Sequence, residues 1–172
     1  GVPVFVQVTG KVVALHHRDW HTNGGDDTDP PPPADDCSTT ERCPRPVPIG
    51  VSTGHPSITA GTIGARVTNG TNVYALSNNH IYAASNSATI GDNVLQPGAY
   101  DGGQDPTDAI GTLSAFVPIV FSTSASNIID AAIALSSTAN LGNATRSDGY
   151  GTPSSTTATA TFNQKLKKYG RT

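Results

Sequence analysis

Two polar residues in apolar surroundings carry the chemistry this sequence offers. His80 stands in "YALSNNHIYAASNS", residues 74 to 87, directly after a short apolar strand and before a patch of small residues. Asp130 stands in "NIIDAAIALSS", between Ile129 and Ala131, in a run otherwise fit for burial. A histidine at a strand end is held by backbone yet open to solvent, which suits proton transfer near neutral pH. A lone carboxylate in an apolar strand needs a hydrogen-bonding partner. Together they would make the orienting half of a nucleophilic triad, the aspartate fixing one histidine tautomer and stabilising its charged form. Each also has a plainer reading: a histidine in a surface turn, and an aspartate bonded to turn backbone. They lie 50 residues apart, enough for three strands of a barrel to bring the chain back.

The elements that must position them are strands. Gly (18) and Pro (13) are abundant, Ser and Thr occur throughout, and long charged helical stretches are missing. That composition favours short strands with many turns. Val2, Val4, Val6 and Val8 share one parity, so residues 1–15 read as an N-terminal strand. Residues 16–48 are polar, acidic and broken by four prolines at 30 to 33, a long Pro/Asp-rich surface loop. From Gly50 the strand pattern returns. "TIGARVTNGTNVYALS" reads as a hairpin in which Ile63, Ala65 and Val67 alternate with polar or small residues and Asn69-Gly70 turns the chain. "DNVLQPG", "AIGTLSAFVPIVF" (broken at Pro118) and "NIIDAAIALSS" supply further strands. Residues 137–163 are a Ser/Thr/Gly/Asn-rich linker by composition, and residues 164–172 open a new apolar and basic element. The expectation is an all-β chain of five or six strands, an antiparallel barrel or sandwich.

The totals narrow the function classes. With 172 residues the chain can bury one sizeable core. Ten basic residues against 13 acidic ones give a net charge of -3 and no basic face for nucleic acid. No apolar run approaches the roughly 20 residues of a membrane helix. Met is absent even at position 1, which is expected of a processed, exported chain or one lacking its targeting segment. Cys37 and Cys43, six positions apart, fit a local disulfide better than a metal pair, and a disulfide fits a secreted protein. Asn69 in "NGT" and Asn143 in "NAT" match glycosylation sequons, which matter only in a secreted eukaryotic chain. His16, His17 and His21 could bind a metal, but clustered loop histidines favour an ordinary surface role. No cofactor is expected.

"YALSNNHIYA" resembles the histidine segment of trypsin-like serine peptidases, and "IIDAAIALSS" resembles their aspartate segment. Residues 59 to 135, from "TAGTIGARV" to "IDAAIAL", are similar to a bacterial branch of that clan, in the chymotrypsin order of His before Asp. The resemblance implies a six-stranded trypsin-type first barrel over residues 49–136. It also implies that His80 is the general base and Asp130 its orienting partner. Some relatives carry a calcium loop between these two residues, where this chain has Asp101, Asp105 and Asp108; a solvated turn is the preferred reading of their spacing.

The departures define the expected function. After Asp130 only Ser136, Ser137, Ser147, Ser154 and Ser155 occur, none in the glycine-rich setting of the family nucleophile and its oxyanion hole. "PIGVSTGHP" does not match the Ile-Val-Gly-Gly start of zymogen-activated members. The chain therefore reads as the N-terminal portion of a serine endopeptidase, with residues 164–172 beginning a second barrel. It would be inactive alone, and sequence beyond it or a partner chain would supply the serine that attacks a peptide substrate. The alternative is a non-catalytic structural or binding module, a half-protease barrel assembling by strand addition and possibly homo-oligomeric.

Overall fold

The computed structural model describes residues 37–156, 159, 161–163 and 165–171. The expected N-terminal strand, most of the Pro/Asp-rich loop, and His16, His17 and His21 lie outside these residues. Short strands dominate, as the turn-rich composition requires. β1 (Ser52–Thr53) pairs antiparallel with β2 (Gly61–Thr62). A second antiparallel sheet is built from β3 (Ala65–Thr68), β4 (Val73–Ser77), β5 (Asn93–Leu95), β6 (Ala109–Phe116) and β7 (Ala132–Ser136), in the order β3-β4-β7-β6-β5. Among the described residues one α-helix, α1 (Asn79–Tyr82), makes a single turn. The fold is all-β.

The strand ladders form two open sheets of two and five strands rather than one closed barrel. Register shifts at Val94/Leu95 and Leu113/Ala115 bend the ladder, as inserted residues do. Two further links join the sheets. Gly54 and Leu95 exchange backbone hydrogen bonds in an isolated antiparallel bridge. Only Ile63 and Gly64 separate β2 from β3; the Ile63 amide donates to Val51 (3.0 Å) and the Gly64 amide to Leu76 (2.8 Å).

The β3–β4 hairpin turns where Asn69-Gly70 predicts, but over four residues. Asn69 Oδ1 accepts the Thr71 and Asn72 amides at 3.1 and 2.8 Å, and Gly70 adopts φ +94°, which its missing Cβ permits. β6 ends before Pro118, as expected of a residue that cannot extend the ladder. The core is filled by Ile49, Val51, Ile63, Tyr82, Ile110 and Leu113 against small residues, Ala75 on β4 and Ala132 and Ala134 on β7. The larger Leu135 of β7 faces outward instead and is 40% exposed.

The flanking segments pack onto this core. In the stretch expected to be a linker, Leu141 is fully buried, and the backbone of residues 140–144 bonds that of Val47 and Ile49. Residues 165–171 form no strand and return to the β1–β2 sheet. There Tyr169 lies against Gly50, where a Cβ would stand 2.4 Å from the ring, and Arg171 grips Asp101 through Nε (2.5 Å) and Nη2 (2.7 Å). Cys37 and Cys43 are disulfide-bonded, as expected. Buried Gln96 fastens their loop to β5: its Oε1 accepts the Cys43 amide (3.1 Å) and its Nε2 donates to the Glu41 carbonyl (2.8 Å).

Labelling of the unreduced, urea-unfolded protein should therefore find no free thiol, and the double variant Cys37→Ala/Cys43→Ala should lose about 2 kcal/mol, set by its short loop. Two free thiols, or an unchanged unfolding midpoint in the variant, would contradict this.

Candidate functional site

β4 and β7 run antiparallel with Ser77 opposite Ala132. The chain leaves β4 at Ser77 and turns through Asn78 into α1, so His80 emerges at the rim beside the residues that precede β7. His80 Nδ1 lies 2.5 Å from Asp130 Oδ2, and the His80 amide donates to Asp130 Oδ1 at 3.2 Å. Asn78 Nδ2 donates to the Asp130 carbonyl at 3.2 Å. The two residues singled out in the sequence are thus brought together.

Asp130 does not interrupt a buried strand. It precedes β7, its side chain is 33% exposed, and the neighbouring Ile128 is 94% exposed. The apolar run misleads because only Ala131, Ala132 and Ala134 are buried, whereas Ile128, Ile129 and Leu135 face outward.

Burial raises the Asp130 pKa, but hydrogen bonds from the His80 ring, together with those from the His80 and Asn79 amides and the nearby His80 charge, outweigh it. The carboxyl is held below its ordinary range and is ionised at neutral pH. An ionised carboxylate only accepts hydrogen bonds, so Nδ1 carries a proton, and in the neutral ring it is Nε2 that holds the lone pair. The His80 ring is half exposed and bonds nothing but Asp130 among the described residues.

A second His–Asp pair shows what distinguishes this one. His55 Nε2 lies 3.1 Å from Asp92 Oδ2, while its Nδ1 accepts the Ser57 amide at 3.1 Å. The Thr89 amide, foremost, and then His55 hold Asp92 below the ordinary carboxylate range. Both nitrogens of the buried His55 ring are occupied by protein, so it can fasten two loops but cannot accept a proton without breaking a bond. His80 has a nitrogen to spare.

The three aspartates of residues 101–108 are dispersed. Asp101 takes Arg171 and the Ser52 hydroxyl, Asp105 takes Asn93 Nδ2 (2.6 Å), and Asp108 takes Arg42 and the Gln104 amide. Among the described residues no group of three or more His, Cys, Asp or Glu is placed to hold a metal ion. No helix of those residues is long and apolar enough to cross a membrane. Both sequons are exposed at their asparagine, but Thr145 of the Asn143 sequon is buried, its hydroxyl bonded to Arg146 and Gly151.

Sequence reasoning missed Asn79 and Asn86. Asn79, fully buried, donates from Nδ2 to Asn86 Oδ1 (2.8 Å) and the Val117 carbonyl (2.7 Å). The one available signal was a second asparagine immediately before the histidine. Ala84, Ser85 and Asn86 adopt φ of 46°, 55° and 76°, a left-handed run costing roughly 1–2 kcal/mol per residue that only the surrounding bonds can sustain.

Against this geometry, comparison with protein-family models, with curated proteins and with solved structures finds no match to the chain.

A carboxyl with a depressed pKa contributes stability above its unfolded value near pH 4, and that contribution is lost as pH falls through the folded value. Asp130→Asn should therefore lower stability at pH 7 by about 1 kcal/mol, a charged hydrogen bond discounted for exposure. Urea titrations should show the gap between variant and wild type closing below about pH 4. A gap that persists undiminished at pH 2.5 would refute the depressed carboxyl.

Proposed function

We propose that His80 and Asp130 are the general base and orienting carboxylate of a trypsin-like serine endopeptidase, with the nucleophilic serine contributed from outside these 172 residues. The observation that carries this reading is the 2.5 Å contact between Asp130 and His80 Nδ1, which leaves Nε2 facing outward. Two features of the fold support it. The Gly54–Leu95 bridge and the short passage from β2 to β3 connect the two antiparallel sheets, as a trypsin-type first barrel would require. The disulfide suits a secreted enzyme.

In the proposed reaction Nε2 removes the serine hydroxyl proton as Oγ bonds the scissile carbonyl carbon. The same proton then passes to the leaving amine as the peptide C–N bond breaks. Asp130 stays ionised, holding the Nδ1–H tautomer and stabilising the transient imidazolium. Water then attacks the acyl-enzyme, with Nε2 again as base. No described serine bonds His80, and the family's oxyanion hole would come with the missing nucleophile.

A second reading is favoured by a specific observation: Phe121 is 72% exposed and Ile128 94% exposed on the segment between β6 and β7. In that reading the chain is a binding module and the apolar segment its contact surface.

A serine-directed fluorophosphonate should leave the 172-residue chain unlabelled, since removing a triad member together with the oxyanion hole removes nearly all catalysis. Joining a serine-bearing second barrel, in the same chain or in trans, should produce labelling that His80→Ala abolishes. Labelling of the isolated chain, or labelling of the assembly that survives His80→Ala, would overturn the proposal.

A further inference from the structure

We infer that Asn79 and Asn86 are positioning residues that set His80 against Asp130, an inference resting on the proposed role of that pair. α1 is a single turn and cannot fix the direction of a side chain by itself. The fixing comes from a chain of side-chain amides. The Asn86 amide donates to Asn79 Oδ1 at 3.1 Å, and Asn79 Nδ2 returns a bond to Asn86 Oδ1 at 2.8 Å. Asn86 in turn pairs with the backbone of Ile119, donating from Nδ2 to its carbonyl (2.7 Å) and accepting its amide at Oδ1 (2.9 Å). Asn79 Nδ2 reaches the Val117 carbonyl directly.

Val117 is the residue that locates the other half of the site. Its amide donates to the Ala131 carbonyl at 2.9 Å, next in sequence to Asp130. One continuous hydrogen-bonded path thus runs from the residue before His80 to the residue after Asp130. The left-handed backbone at Ala84, Ser85 and Asn86 is the means by which the chain doubles back to place Asn86 between Asn79 and Ile119. Asparagine suits this place twice over. It tolerates left-handed φ better than most residues, and its carboxamide can both donate to and accept from a neighbouring backbone.

The test separates the backbone from the carboxamide and needs no enzymatic activity. Asn86→Gly keeps the left-handed turn accessible, so the variant should fold, but it removes the bonds to Ile119 and the one accepted from Asn79. By proton NMR, solvent exchange of the His80 Nδ1–H should speed by about 10- to 30-fold, the worth of one to two net hydrogen bonds. Asn86→Asp, which still accepts from Asn79 and Ile119, should recover part of that protection. Asn127→Ala removes a similar pair of bonds, to Val120 farther along the same segment, and should leave the exchange unchanged. Wild-type exchange in a folded Asn86→Gly, or equal acceleration in Asn127→Ala, would overturn the inference. Accelerated exchange in Asn86→Gly alone, with no probe labelling of the complete assembly, would keep the positioning role while sinking the peptidase reading.

Discussion

The antiparallel register of β4 with β7 is the constraint on which the site depends. With Ser77 opposite Ala132, the three residues leaving β4 and the two entering β7 must share one end of the sheet. A slip of one residue would exchange the two faces of the strand, sending Ala132 and Ala134 outward and Ile133 and Leu135 into a core sized for alanine. That volume mismatch protects the register, and through it the meeting of His80 and Asp130. The geometry of the pair is inherited here from core packing.

Polar fasteners then hold what short strands leave loose. Strands of two to eight residues cannot stabilise themselves in isolation, and several of the longest-range contacts are side-chain hydrogen bonds. Gln96 holds the disulfide loop to β5, Asp101 collects Ser52 and Arg171, and Arg66 Nη1 reaches the Leu141 carbonyl at 3.1 Å. Hydrogen-bonded and ionised partners lower the Asp101 pKa, the Arg171 bond foremost, so this fastener too weakens in acid. The His80–Asp130 pair is chemically the same sort of contact. Its difference is position, at a rim, with one imidazole nitrogen facing solvent.

Much of the local structure was legible in the sequence, and the reasons are local. Asn69-Gly70 turns a hairpin through its own side chain and its own φ, and Pro118 stops β6 by lacking an amide. His80 was legible because a strand, a polar doublet and a small-residue patch frame it. Asp130 was found for a partly mistaken reason, since an apolar run does not say which of its members face the core. What stayed hidden depends on distant partners: Leu141 packing beside Val47, Arg171 meeting Asp101, and Asn86 bridging Asn79 to Ile119. A Ser/Thr-rich composition reads as linker until the one buried leucine in it finds its core. Asp101, Asp105 and Asp108 read as a cluster in sequence and separate in space because each has its own cation, amide or hydroxyl.

The central claim is that Asp130, ionised, fixes His80 as the Nδ1–H tautomer with Nε2 free to accept a proton. Nitrogen-15 NMR of the imidazole at a pH where His80 is neutral tests it most directly, because protonated and bare ring nitrogens have widely separated shifts. The account predicts a protonated Nδ1 and a bare Nε2 in the wild type, with the preference lost in Asp130→Ala. A wild-type ring protonated at Nε2, or a tautomer balance indifferent to Asp130, would contradict it.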